Sequence, residues 1–181
     1  QEFYNLYADF KLEPQQLPDN LEIRDLARFF DYERHFTAET IHAAMAGYFS
    51  LKSFLDDCVG EILATLEESG QAEDTVILYL SDHGELLSDK GMWTKQVMYE
   101  ASAGIPMILA GPGVPDGIAR NTAASIVDVA ATALDVMLDT SDDSAPGLSL
   151  RQLAQDPDDA DRTVLYEYHD GGSTTGALMV R

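Results

Sequence analysis

Positive charge is scarce in this sequence. Lysine and arginine together number 11 against 32 aspartates and glutamates, leaving a formal net charge of −21. A surface of that sign repels nucleic-acid phosphates and anionic lipid, which excludes DNA, RNA and acidic membranes as partners. It suits either an ordinary acidic protein or a salt-rich habitat in which counterions screen the repulsion. Cysteine is nearly absent. Cys58 stands alone, so no internal disulfide can form, and stability rests on packing or on a metal. Set in a helical apolar pattern, Cys58 is expected to be a small buried core residue. Long apolar runs are missing too: none approaches the ~20 residues that cross a bilayer. No basic-then-apolar leader follows Gln1, and Arg181 comes just after the apolar run 177–180. Both ends are expected to be cuts from something longer.

What is present is enough for one domain with a core, since a chain of 181 residues buries roughly 70% of its unfolded surface. Residues 1–36 show weak periodicity, contain Pro14 and Pro18, and read as an irregular lead-in with a short helix near Ile23–Phe30. Residues 37–181 form the main unit. Ile41, Met45, Tyr48, Phe49, Leu55, Val59, Ile62 and Leu66 recur mostly at three and four, which predicts an amphipathic helix over 38–69. Thr37 suits its N-cap, with Glu39 in the first turn, and Gly70 its C-cap. The β-rich runs 75–80 and 106–110 read as buried strands of a mostly parallel sheet, the second ended by Gly111-Pro112-Gly113. A second helix is predicted over 126–138, begun at Ser125 or Asp128, and a third strand over 163–168. Helix, strand, helix, strand, helix, strand is the order of a layered α/β fold. The acidic stretches 139–143 and 156–161 read as surface loops.

The chemistry gathers at Ser81-Asp82-His83-Gly84-Glu85, just past the C-terminal end of the first strand, the edge where α/β sheets collect ligands. Asp82 offers a hard anionic oxygen and His83 an imidazole nitrogen. Side by side they can face one divalent cation, or they can serve a turn whose side chains bond the backbone. Gly84 is expected to let the backbone turn sharply there. Two of only four lysines, Lys90 and Lys95, follow within thirteen residues, and no acid falls between Lys90 and Tyr99. A cationic stretch in so acidic a chain points to an anion site. Met92, Trp93, Val97 and Met98 suggest a packed surround for Lys95, whereas Lys90 reads as a loop lysine. Asp156, Asp158 and Glu167 mimic a calcium-loop spacing, but Asp161 stands where such loops need glycine. His35 and His42 receive no role.

Residues 78–85, the run Lys90-Gly91-Met92-Trp93-Thr94-Lys95, Glu100 and Ile105-Pro106-Met107-Ile108 together resemble the sulfatase family of the alkaline phosphatase superfamily. Val59-Gly60-Glu61-Ile62-Leu63, Ala110-Gly111-Pro112-Gly113-Val114, Val127 to Thr132 and Gly147-Leu148-Ser149-Leu150 extend the likeness from about residue 37 to the end. The resemblance implies an alkaline-phosphatase-like layered sheet with flanking helices, incomplete here. It implies that Asp82 and His83 are two ligands of a divalent cation, Ca²⁺ first, with Mn²⁺ or Mg²⁺ as alternatives. It implies that Lys95 is the catalytic lysine that holds the charged oxygens of a small sulfate or phosphate ester, and that His169 lies near the substrate. The Asp-His form is similar to choline sulfatases and phosphonate monoester hydrolases, since many arylsulfatases carry Asn at the position of His83.

Members of that family use a formylglycine made within a C/S-x-P-x-R motif, and Cys58 is followed by Val-Gly-Glu-Ile instead. The nucleophile and the remaining metal ligands are therefore expected in an N-terminal part of the same protein, which becomes the chief partner of these residues. A homo-oligomer is also compatible. The expected function is that of the C-terminal portion of a metal-dependent sulfuric ester hydrolase, inactive alone. The alternatives are a phosphodiesterase or phosphonate monoester hydrolase, and a truncated relative that binds without catalysis.

Overall fold

The computed structural model describes residues 2–9, 37–138, 146–169 and 176–181. The predicted helix near 23–30, the rest of the lead-in from 10 to 36, and the acidic stretch 139–143 lie outside the described residues. The chain divides into two compact units, one made of 1–69 with 85–95, the other of 70–84 with 96–181.

The first unit is built on a short helix α1 (Glu2–Asn5) and a 31-residue helix α2 (Ala38–Glu68). The Thr37 hydroxyl accepts a hydrogen bond from the Thr40 amide, satisfying one of the donors that the first turn leaves open. At the other end Ser69 caps the helix and Gly70 follows with φ 73°, the left-handed position where glycine loses nothing. Aromatic side chains seat α1 on α2. Phe3 meets Phe54 edge-on at 5.7 Å, Tyr7 lies 5.7 Å from Phe49, and the Tyr7 hydroxyl pairs with that of Ser53 at 2.7 Å. Ala44, Tyr48 and Leu51 of α2 line a pocket of about 520 Å³ with Leu87 and Trp93 of the 85–95 loop. The core of this unit is thin: Ala46, Leu86 and Met92 are its buried apolar residues among those described. Leu51 and Ile62 stay about two-thirds exposed, at 67% and 66%. Cys58 is half-buried rather than buried, because its turn of α2 borders that open face.

The second unit contains β1 (Ile77–Leu80), α3 (Glu100–Ala103), β2 (Met107–Ala110), α4 (Asp128–Leu138), α5 (Leu150–Gln155), β3 (Leu165–His169) and β4 (Gly176–Val180). β1 and β2 pair antiparallel, Ile77 opposite Ala110 and Leu80 opposite Met107. This corrects the parallel expectation, and β1 is half-buried rather than buried. A continuous apolar run fits either direction. β3 and β4 form a second antiparallel pair, Leu165 opposite Val180. β4 and α5 have no counterpart among the sequence-predicted elements, and neither has α1, which lies in the stretch read as irregular.

Asp128 organises the start of α4. Its carboxylate accepts from the Ser125 amide at 2.8 Å, from the Leu148 amide at 2.8 Å and from Arg162 at 2.7 Å. Ser125 Oγ, three residues earlier, accepts from the Val127 amide at 3.3 Å, so both sequence candidates take part at this end of the helix. Among the described residues no helix is long and apolar enough to cross a membrane.

Candidate active site

β1 ends at Leu80 and delivers Asp82 and His83 into the turn that follows. The Ser81 hydroxyl donates to the His83 carbonyl at 2.8 Å, and the His83 amide donates to Asp82 Oδ1 at 3.0 Å, so the turn is fixed from within. The second carboxylate oxygen, Oδ2, then lies 3.4 Å from His83 Nε2. His83 Nδ1 sits 2.7 Å from the Gly84 carbonyl. A carbonyl only accepts, so Nδ1 carries the proton. In the neutral ring, Nε2 therefore presents a lone pair towards an anionic oxygen. A positive charge placed between two such atoms would be favoured by both. With Nδ1 anchored to a backbone carbonyl, the ring is fixed in orientation and Nε2 is left as the atom available to a further partner.

Gly84 is required by space rather than by a sharp turn. Its φ is not positive, but a Cβ there would stand 2.1 Å from the Ala101 carbonyl oxygen and 2.9 Å from that of Gly104. Its amide donates to the Ser102 carbonyl at 2.8 Å, which binds the Asp-His turn to α3. A cleft of about 1040 Å³ in the same unit has Asp82 in its wall, with Glu100, Met107, Tyr166 and Arg181. His169 closes β3, 62% exposed, with Nε2 2.5 Å from the Glu167 carboxylate two residues back on the same face.

Lys95 belongs to the other unit, at the end of the 85–95 loop, and is exposed; Lys90 is half-buried and lies 3.9 Å from Asp89. The packed surround expected for Lys95 is found at Met92, which is 1% exposed, but not at the lysine itself. The loop is tightly wound. Leu87, Ser88, Lys90 and Thr94 all adopt positive φ, which costs a residue other than glycine about 1–2 kcal/mol each. The structure thus brings Asp82 and His83 together in one turn, and Lys95 ends a strained loop of the first unit. Among the described residues no group of three or more His, Cys, Asp or Glu side chains gathers as a metal site. The two donors fit part of a coordination sphere, since hard cations take six or more oxygens or nitrogens.

The chain belongs to the sulfatase family: the family model for Sulfatase matches residues 4–140. It is 31% identical to a choline-sulfatase of Rhizobium meliloti (strain 1021), over 99% of this chain and 36% of that protein. It is 32% identical to arylsulfatase K of Danio rerio, over 81% of this chain and 29% of the relative. Among solved structures, the phosphonate monoester hydrolase SpPMH from Silicibacter pomeroyi superimposes with a TM-score of 0.73 at 27% identity, covering 87% of this chain and 35% of that one. The fold is accordingly the layered α/β fold of the alkaline phosphatase superfamily, represented by part of its sheet and helices. The chain spans about a third of the length of the curated relatives it matches.

Proposed function

We propose that the complete protein is a divalent-metal-dependent sulfuric ester hydrolase. Asp82 and His83 supply two metal ligands, Lys95 binds the charged oxygens of the ester, and His169 borders the substrate. The observation that carries the reading is the approach of Asp82 Oδ2 to His83 Nε2 at 3.4 Å, with Nδ1 held by the Gly84 carbonyl. A bound cation, Ca²⁺ first and Mn²⁺ or Mg²⁺ as alternatives, would draw charge from the ester and its attacker. The chain's own part is to fix the two ligands through Ser81 and Gly84 and to aim one ammonium at the transferring group. None of the 181 residues forms the C/S-x-P-x-R motif from which a formylglycine nucleophile is made. That nucleophile and the other ligands belong to an N-terminal part of the protein, and these residues alone turn over nothing.

A second reading, hydrolysis of phosphonate or phosphate esters, is favoured by the likeness to the phosphonate monoester hydrolase. The same metal and lysine would serve phosphorus oxygens. The test is to strip the complete protein of metal with a chelator, restore Ca²⁺, Mn²⁺ or Mg²⁺, and compare para-nitrophenyl sulfate with a phenylphosphonate monoester. Metal-restored sulfate ester hydrolysis supports the first reading and a preference for the phosphonate the second. Failure on both substrates leaves a binding protein.

A further inference from the structure

Glu85 follows the Asp-His-Gly turn directly and opens the loop that ends at Lys95. Its side chain does not face outward as an ordinary acid of this acidic chain would. One oxygen, Oε1, accepts from the Thr94 amide at 2.6 Å and from the Leu87 amide at 3.2 Å. The Thr94 carbonyl in turn accepts from the Leu86 amide at 2.9 Å. Thr94, the residue before Lys95, is thus gripped at both its amide and its carbonyl by the two residues that start the loop. It is held at φ 70°, a left-handed conformation that a β-branched residue adopts only when its surroundings impose it. Inside the clasp, the Ser88 amide donates to the Met92 carbonyl at 2.8 Å, while Leu86, Ser88 and Met92 are buried. Releasing Glu85 would free the amides of Leu87 and Thr94 and let Thr94 relax towards ordinary φ, rotating the backbone from which Lys95 projects.

We infer that Glu85 is the positioning residue for Lys95: its carboxylate clasps the 85–95 loop shut at Thr94 and so sets the direction of the lysine. The inference rests on the assignment of Lys95 as the anion-binding lysine. Two features of the geometry make it testable. Both donors converge on one oxygen, so glutamine, which keeps a carbonyl oxygen at the same reach, should replace glutamate. Aspartate keeps the charge but is one methylene shorter and should not.

The experiment uses the complete, metal-loaded protein with para-nitrophenyl sulfate, together with amide hydrogen exchange over residues 85–95. Glu85→Ala and Glu85→Asp should each lower kcat/KM by about 10- to 100-fold, the range seen when groups that orient an active-site residue are removed. Both should speed exchange at Leu87 and Thr94 while bound metal stays unchanged. Glu85→Gln should stay within about threefold of the parent on both readouts. Because Glu85 acts through Lys95, adding Glu85→Ala to Lys95→Ala should cost no more than about a further threefold, the non-additivity of coupled residues. Losses that multiply in the double variant overturn the inference, as does a Glu85→Gln enzyme as impaired as Glu85→Ala. So does a Glu85→Asp enzyme that keeps full activity and slow exchange. If Glu85→Ala does not fold, the contrast between Gln and Asp decides alone. A silent Lys95→Ala removes the anion-binding assignment and this inference together, whereas a damaging Lys95→Ala with an uncoupled Glu85 removes the inference only.

Discussion

Asp128, with no solvent exposure, and Arg162, thirty-four residues later, meet at 2.7 Å and tie the start of α4 to the segment leading into β3. The same guanidinium also donates to the Ala123 carbonyl. Breaking one side of such a buried pair leaves an uncompensated charge and costs about 3–5 kcal/mol. Arg162→Ala should therefore lower the melting temperature by roughly 10 °C, at about 2–4 °C per kcal/mol for a chain of this size. Thermal unfolding by circular dichroism checks it, and a shift of only a degree or two would contradict it.

Asp135 gives a pH dependence with a definite sign. The Arg151 guanidinium beside it donates at 2.5 and 2.9 Å and holds the carboxyl below its ordinary value of 3.8, with help from the Ser149 hydroxyl. A depressed native pKa means that the unfolded state binds the proton first as pH falls. The contribution is whole above the ordinary carboxylate range and drains away as pH drops through 3.8 towards the lower native value. Asp135→Asn should therefore be less stable than the parent at neutral pH, by about 1–3 kcal/mol for a hydrogen bond to a charged group. The gap should narrow in strong acid. Urea unfolding of both proteins at neutral pH and near pH 3 is the measurement.

Gly84→Ala should disturb the Asp82–His83 turn without replacing either residue. The new methyl meets backbone oxygens of Ala101 and Gly104, which cannot swing aside as side chains can. Overpacking of this kind costs about 1–3 kcal/mol. The turn that carries Asp82 and His83 must shift to make room, so metal bound per chain should fall in step with stability. Metal analysis after gel filtration, beside a melting curve, checks both parts.

Lys95 and Lys90 provide the contrast for the anion site. Loss of a donor that serves developing charge typically costs on the order of 10²–10³ in rate. Lys95→Ala should lower kcat/KM of the complete protein by that order with metal content intact. Lys90→Ala, beside Asp89 in the same loop, should change it less than about threefold. Equal, mild effects would make Lys95 a surface lysine.

Much of this was legible in the sequence because it was local. The spacing from Ile41 to Leu66 gave α2 its extent, and Thr37 and Gly70 marked its ends within a residue. Ser125 and Asp128 were both visible as a start for α4 because a capping pair is written three residues apart. Strand direction was not legible: the side chains of 77–80 and 107–110 satisfy either pairing. β4 escaped because 177–180 read as an apolar run at the end of the chain. Glu85 stood in plain view after Gly84, yet the amide of Thr94 that it holds is nine residues away. No periodicity announces a side chain that bonds a distant backbone. The same holds for Arg162, whose charge in so acidic a chain pointed nowhere in particular until Asp128 was found beside it.

All four described strands are edge strands, since each of the two sheets has two members. A strand with a single described neighbour can pair along its other side, and Leu165, Leu178 and Val180 add exposed apolar surface to the β3–β4 pair. Edges of that kind convert crowding into a rival reaction. Folding within one chain is first order in concentration, but edge-to-edge pairing between chains is second order. The recovered fraction of refolded chain should therefore fall steeply as concentration rises. Refolding at high dilution, or with a binder that lies along these edges, should restore it.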